Sequence, residues 1–268
     1  MRERIIEVMK IKLDLLKSLE ANANEYFEKA KKAKAKLQGA RRILPELERR
    51  HAEQEAKAEK LSVETKLRKP QKHWYHKYRW SRTRKGHLLV AGQNAAANET
   101  LIKRHTQTND VVFHTDMAGS PFTVLKQEGA VSDEDLEDGA VITACYSRAW
   151  GKGLGTMEVF HVAPDQVTKE AQAGEYLGRG AFMIRGKTTY HHPRLELGIG
   201  VINREGFRPE VFSGSPEACK RYCKEFEVIV PGDRKTSDIA KELQKRFGGE
   251  IDDYVKAIPA GGSRTRKK

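Results

Sequence analysis

The chain has 268 residues, 38% hydrophobic and 32% charged, which is enough apolar material for one core but not for the whole length. No run approaches the roughly 18 apolar residues of a membrane span, so no membrane partner is expected. Three cysteines (Cys145, Cys219, Cys223) exclude a disulfide scaffold; they point to a reducing compartment and a cytoplasmic protein. The first residues, Met1 to Glu7, mix acids with short apolar steps and do not read as a signal peptide.

The formal net charge is +13, which points to a polyanionic partner, nucleic acid first. Its distribution is uneven. Residues 1–72 carry +8, 73–110 carry +5, 111–230 carry −4 and 231–268 carry +4. The positive charge therefore sits outside the middle of the chain, which reads as the folded core.

Residues 1–66 read as a helical coiled coil. Strong helix formers dominate. A 3–4 spacing runs through Leu16, Leu19, Ala23, Tyr26, Ala30, Ala33, Leu37, Ala40, Leu44 and Leu47. Pro45 interrupts the run, and two readings follow. A helical hairpin turning near Gly39–Pro45 is favoured, because a single apolar stripe must be buried somewhere. The other reading is one long kinked helix that pairs in a dimer.

Residues 67–87 form a basic-aromatic connector that leads into the next domain. Between Arg68 and His87 there are eight Lys or Arg, three His and four aromatics, with no acid. Cations neutralise phosphates, and aromatic faces stack on unpaired bases. The competing reading makes Trp74, Tyr78 and Trp80 core anchors, and at least one tryptophan is expected in the core.

From Gly86 the pattern is α+β. Strands are predicted at 87–92, 110–115, 122–126, 158–162, 182–186, 196–201 and 227–230. Helices are predicted at 95–105, 140–150, 216–224 and 236–247, with caps at Asn94 and Ser132. Residues 259–268 read as a flexible basic tail.

Chemistry-bearing clusters are few. His114-Thr115-Asp116 has the residues of a metal pair or a His/Asp catalytic element, but no third ligand stands at a motif spacing. A structural or RNA-contacting role is favoured. His191-His192 reads as a surface loop. Cys219 and Cys223 read as small buried hydrophobes. Gly151–Thr156 lacks the Walker spacing and reads as a turn, with Arg148 and Lys152 within reach of a phosphate. No catalytic residue, metal or cofactor is expected.

Several stretches together resemble one family. Trp74-Tyr75-His76-Lys77-Tyr78-Arg79-Trp80 is similar to the W-Y-x-K-F-R-W opening of the NFACT RNA-binding module, NFACT-R. Gly92–Glu99 is similar to G-R-D-A-x-x-N-E, with Asn94 in place of the usual Asp. His114–Pro121 matches H-x-D-x-x-G-[AS]-P, and Cys145–Trp150 matches C-Y-S-[KR]-A-W. Gln166–Lys169, Gly174–Leu177 and Gly180–Lys187 match the signature near the domain end. Asn22–Lys34 looks like the start of the family's middle coiled coil. Ser81–Gly86 departs from the family's I-S-S-x-G by being more basic, and the coil is short.

The resemblance implies an α+β architecture: a coil over 1–66, the connector over 67–87 and an NFACT-R-like domain over 73–258. It implies a non-enzymatic RNA-binding protein. The RNA would be tRNA or large-subunit rRNA, on the ribosome, in quality control or rescue of stalled translation by RqcH-like factors. The coil would pair with itself or dock a protein partner, as in a split NFACT factor. The alternative is a general DNA or polyanion-binding module. The expected contact face is Trp74, Tyr78, Arg79, Trp80, Arg82, Arg84 and Lys85, with Asn98, Lys103, His114, Arg148, Lys169, Arg185 and Lys187 as further contacts.

Overall fold

The computed structural model describes residues 11–170 and 178–266, in two compact units divided between Lys66 and Leu67. The expected helix over residues 1–10 and the motif at Gly174–Leu177 lie outside the described residues.

The first unit is dominated by one helix, α1 (Leu19–Lys66). Residues 11–18 fold back over its first turns. The buried Asn22 amide donates to the carbonyls of Asp14 (3.0 Å) and Ser18 (3.1 Å) and accepts from the Asp14 amide at 2.8 Å. The expected hairpin is not formed, because α1 runs through Gly39 and Pro45 without a turn. A proline removes one helical hydrogen bond. A hairpin would take several residues out of helical dihedrals, and Ala40–Leu44 are helix formers with no turn residue among them. Leu37, Ile43, Leu44 and Leu47 are each about half exposed along α1.

The second unit begins with Arg68, which bridges to Phe207, and a single 3₁₀ turn at Trp74–Lys77. Six antiparallel strands build its first sheet: β1 (Arg79–Arg82), β2 (Leu88–Ala91), β3 (Val111–His114), β4 (Thr123–Lys126), β5 (Val159–Val162) and β8 (Thr189–His191), in the order β1-β2-β4-β3-β5-β8. Between β5 and β8 the chain makes a small hairpin, β6 (Val167–Thr168) and β7 (Met183–Ile184). The second sheet is β10-β9-β11-β12, from β9 (Leu197–Ile202), β10 (Glu210–Gly214), β11 (Phe226–Arg234) and β12 (Ser263–Thr265).

Strand alternation sorts the first sheet into two faces. Leu88, Val90, Val112 and Val124 face α2 (Ala95–His105) and its Leu101. Leu89, Phe113 and Leu125 face α3 (Asp133–Cys145), which also contacts β9 and β10 of the second sheet. Because α3 lies between two sheets, it carries Gly139 where a Cβ would stand 2.5 Å from the Phe113 ring. α5 (Pro216–Tyr222) packs on the glycine face of β9, and α6 (Thr236–Phe247) and α7 (Ile251–Ala257) close the second sheet.

Two expectations change. The helix expected over 140–150 starts earlier and breaks at Tyr146–Ser147. There Ser147 Oγ accepts from the Ala149 amide (3.1 Å) and caps α4 (Arg148–Gly151). The basic tail is not flexible over its described part. Ser263–Thr265 is β12, paired to β11, and the buried Trp150 indole donates to the Gly262 carbonyl and Ser263 Oγ. Gly and basic residues looked like a tail, but backbone pairing does not depend on side-chain type.

Asp138 of α3 is fully enclosed. It accepts from the Arg84 amide (2.7 Å), the Arg84 guanidinium (2.8 Å) and Ser215 Oγ. Removing one partner of a buried ion pair leaves the other unpaired. Arg84→Ala is expected to cost about 3 kcal/mol in urea unfolding. Lys85→Ala, which breaks an exposed pair with Glu134, is expected to cost under about 1 kcal/mol.

Candidate nucleic-acid interface

The register of the first sheet brings the motif loops to one end. Arg79 lies opposite Ala91, Ala91 opposite Thr123, Thr123 opposite Phe113, and His114 opposite Phe160. Gly92–Asn94, Thr115–Pro121 and the start of α2 therefore meet there. Asn98 reaches across from α2: its Oδ1 accepts from the Phe122 amide at 3.2 Å. A Cβ on Gly92 would fall 1.9 Å from that same oxygen.

Two further loops join this end. Gly119, with φ +86°, lies under the Arg148 guanidinium, and a Cβ there would stand 2.3 Å from Arg148 Nε. Gly180, with φ +76°, abuts Ala95, and its amide donates to Glu99 Oε2 at 3.2 Å. Glu99 also accepts from Lys103 (2.7 Å) and lies 3.7 Å from Lys169. These bonds, the Lys103 bond first, hold its carboxyl at about 2. Lys103 and Lys169 thus stand close together but share one carboxylate.

His114 is a wall of this end rather than an exposed contact. Its ring stacks on Phe122 at 4.1 Å, and Phe182 meets Phe122 edge-on at 5.3 Å. Burial pushes the imidazole pKa down, against a smaller opposing pull from backbone hydrogen bonds and Asp116. The Thr115 and Ser120 hydroxyls are hydrogen-bonded inside the same loop. Asp116 faces the Tyr190 hydroxyl at 3.5 Å. Among the described residues, no three His, Cys, Asp or Glu side chains are placed to hold a metal ion.

The basic-aromatic segment does not form one face. Its Arg79 and Trp80 point to opposite sides of β1, as strand geometry requires. The Arg79 guanidinium lies over the Tyr146 ring, 4.5 Å from its centroid, and burial lowers its pKa. Trp80 packs edge-on against Phe212. Tyr78 is buried. Arg82 donates to the Gly86 carbonyl at 3.0 Å. Arg84 and Lys85 are engaged by acids of α3. Among the Trp and Tyr side chains of the segment, Trp74 alone is exposed, over 40% of its area.

Arg148 and Lys187 are exposed and have no acidic partner among the described residues, whereas Arg185 pairs with Glu170 at 3.5 Å. Sequence reasoning missed Arg179, which is exposed beside Gly180, and Arg104 and His105 at the end of α2. The signals were present: a cation inside Gly178-Arg179-Gly180, and a helix ending in Lys103-Arg104-His105.

Residues 77–186 match the NFACT protein RNA binding domain, NFACT-R. The chain is homologous to ribosome quality control proteins over a fragment of their length. It is 37% identical over 213 residues to the archaeal Rqc2 homolog aRqcH of Methanocaldococcus jannaschii, covering 78% of this chain and 31% of that protein. It is 29% identical over 201 residues to the ribosome quality control complex subunit NEMF homolog of Drosophila melanogaster, covering 73% of this chain and 20% of that one. A remote likeness joins it to the C-terminal part of the fibronectin/fibrinogen-binding protein of Streptococcus suis. The TM-score is 0.37 at 22% identity, over 47% of each chain.

Four histidines, His105, His114, His161 and His191, have pKa values lowered first by burial. The unfolded chain takes up these protons near 6.5 and the folded chain does so later. Their contribution is therefore present above pH 6.5 and lost as pH falls below it. The thermal midpoint is expected to drop between pH 7 and pH 5, and His114→Phe is expected to flatten that drop.

Proposed function

We propose that this chain is a non-enzymatic RNA-binding protein that acts on tRNA or large-subunit rRNA at the ribosome, in cytoplasmic quality control or rescue of stalled translation. The supporting observation is the set of motif loops at one end of the first sheet, where Arg148 and Arg179 project without an acidic partner among the described residues. Unpaired arginines at a rigid loop end suit phosphate: their planar forks bind it bidentately, and no existing ion pair must break. Asn98 and His114 hold the loops in place, and Lys187, whose carbonyl accepts from Gln166 beyond the other end of β5, is a separate cation. Arg84 and Lys85 are set aside as primary contacts because α3 already neutralises them. The relatives named as ribosome quality control subunits support the ribosomal setting.

α1 supports an added interaction role. Its half-exposed Leu37, Ile43, Leu44 and Leu47 suit pairing with a second copy or a partner helix. Light scattering that finds only monomer across a concentration series would remove self-pairing.

Binding of tRNA, measured by filter retention over a salt series, tests the interface. Arg148→Ala with Arg179→Ala is expected to weaken binding roughly tenfold and to flatten the log–log salt slope by about 2. Equal affinity and slope would overturn this placement. Tighter binding of duplex DNA than of tRNA would overturn the RNA reading in favour of a general polyanion module.

A further inference from the structure

Trp74 differs from the other two tryptophans. Trp150 is buried with its indole N–H bonded, and Trp80 is half-buried against Phe212. The Trp74 indole is 40% exposed, yet it is held in place. It lies flat on the His105 ring, 4.3 Å between centroids and 9° from parallel. Tyr78 stands edge-on to both rings, at 6.1 Å and 5.9 Å. The stack joins the 3₁₀ turn before β1 to the last residue of α2. Neither ring rotates away without losing the other.

The surroundings are cationic. Lys77 Nζ sits 5.2 Å from the Tyr78 ring centroid, and Arg104 precedes His105 on α2. The charges that act on His105 are Lys77, Lys126 and Arg104, with no carboxylate among them. Lys126 is already paired with Asp110, which leaves Lys77 and Arg104 without acidic partners among the described residues. A held, exposed aromatic face beside two cations without acidic partners among the described residues meets the two requirements for binding a single strand: π-stacking for the base and cations for the backbone. A hydrophobic peptide would have no use for the unopposed cations, and a folded duplex offers no free base face.

We propose that the Trp74–His105 stack is a platform for one unpaired nucleobase of a bound RNA, with Lys77 and Arg104 contacting the flanking phosphates. The proposal rests on the RNA-binding reading above and adds to it a second contact. The platform is at the C-terminal end of α2, and the arginine loops are at its N-terminal end. The helix between them is about 16 Å long. One RNA with an unpaired segment can therefore touch both, and the platform makes the protein favour RNA with splayed bases over continuous duplex.

The test uses the full chain and three ligands: a short oligouridylate, the same oligomer made abasic, and tRNA. Affinities are compared for wild type, Trp74→Leu, Trp74→Phe and the Arg148→Ala/Arg179→Ala pair, with thermal unfolding to confirm the fold of each. The expected result has three parts. Trp74→Leu weakens oligouridylate binding about tenfold, Trp74→Phe keeps most of it, and the abasic oligomer does not distinguish wild type from Trp74→Leu. Oligouridylate, but not the abasic oligomer, quenches the indole emission of wild type.

Unchanged oligouridylate affinity in Trp74→Leu would overturn the platform. A loss for the abasic oligomer equal to that for oligouridylate would overturn stacking as its role. In either case, weaker tRNA binding by the arginine pair leaves the RNA reading standing. Failure of wild type to bind tRNA or either oligomer would overturn both.

Discussion

The buried carboxylate of Asp138 is the constraint on which the second unit depends. It sits on α3, between the two sheets, and holds groups from both. Arg84 comes from the turn between β1 and β2, and Ser215 comes from the corner between β10 and α5. Taking a carboxylate out of water is costly unless its oxygens are bonded. The sheets therefore close in the one arrangement that delivers these donors. Gly139, next in the chain, lets α3 approach Phe113 closely enough for that arrangement to pack without a void.

This constraint also separates the charge. At the end of the first sheet that carries the β1–β2 turn, Glu134, Glu137 and Asp138 of α3 meet Lys85 and Arg84. Two cations of the basic stretch, Arg84 and Lys85, are thereby neutralised where they fold. At the opposite end the loops are held by backbone bonds, ring stacking and glycine contacts, which use no arginine charge. Arg148 and Arg179 remain available there. Net charge points to a polyanion, but local pairing decides where one docks.

Much of this was legible in the sequence, and the failures have physical causes. The α+β class, the caps at Asn94 and Ser132, and α6 at Thr236–Phe247 follow from local rules of periodicity and capping. The NFACT resemblance rests on ordered motifs and matches the family found for residues 77–186. The hairpin reading of α1 failed because a proline is a weaker signal than a turn. The tail reading failed because β12 is made by pairing with β11, and pairing of that kind is invisible to composition. The basic-aromatic strip was visible as composition. Its dispersal was not, because alternation along β1 and the acids of α3, some fifty residues later, both act on it.

The same pairing logic ranks the remaining cations. Lys103 and Lys169 stand at the loop end, but Glu99 accepts from the first and faces the second, and its carboxyl stays ionised down to about pH 2. A phosphate reaching either lysine must displace a carboxylate that also accepts from the Gly180 amide. That exchange returns much less than a contact to an unpaired guanidinium, because one ion pair is lost for each one gained. In the proposed interface, Arg148 and Arg179 rather than Lys103 and Lys169 would therefore carry the salt-dependent contacts at the loop end. Glu99 would keep its structural duty in that interface, which is to lock the Gly180 loop against α2.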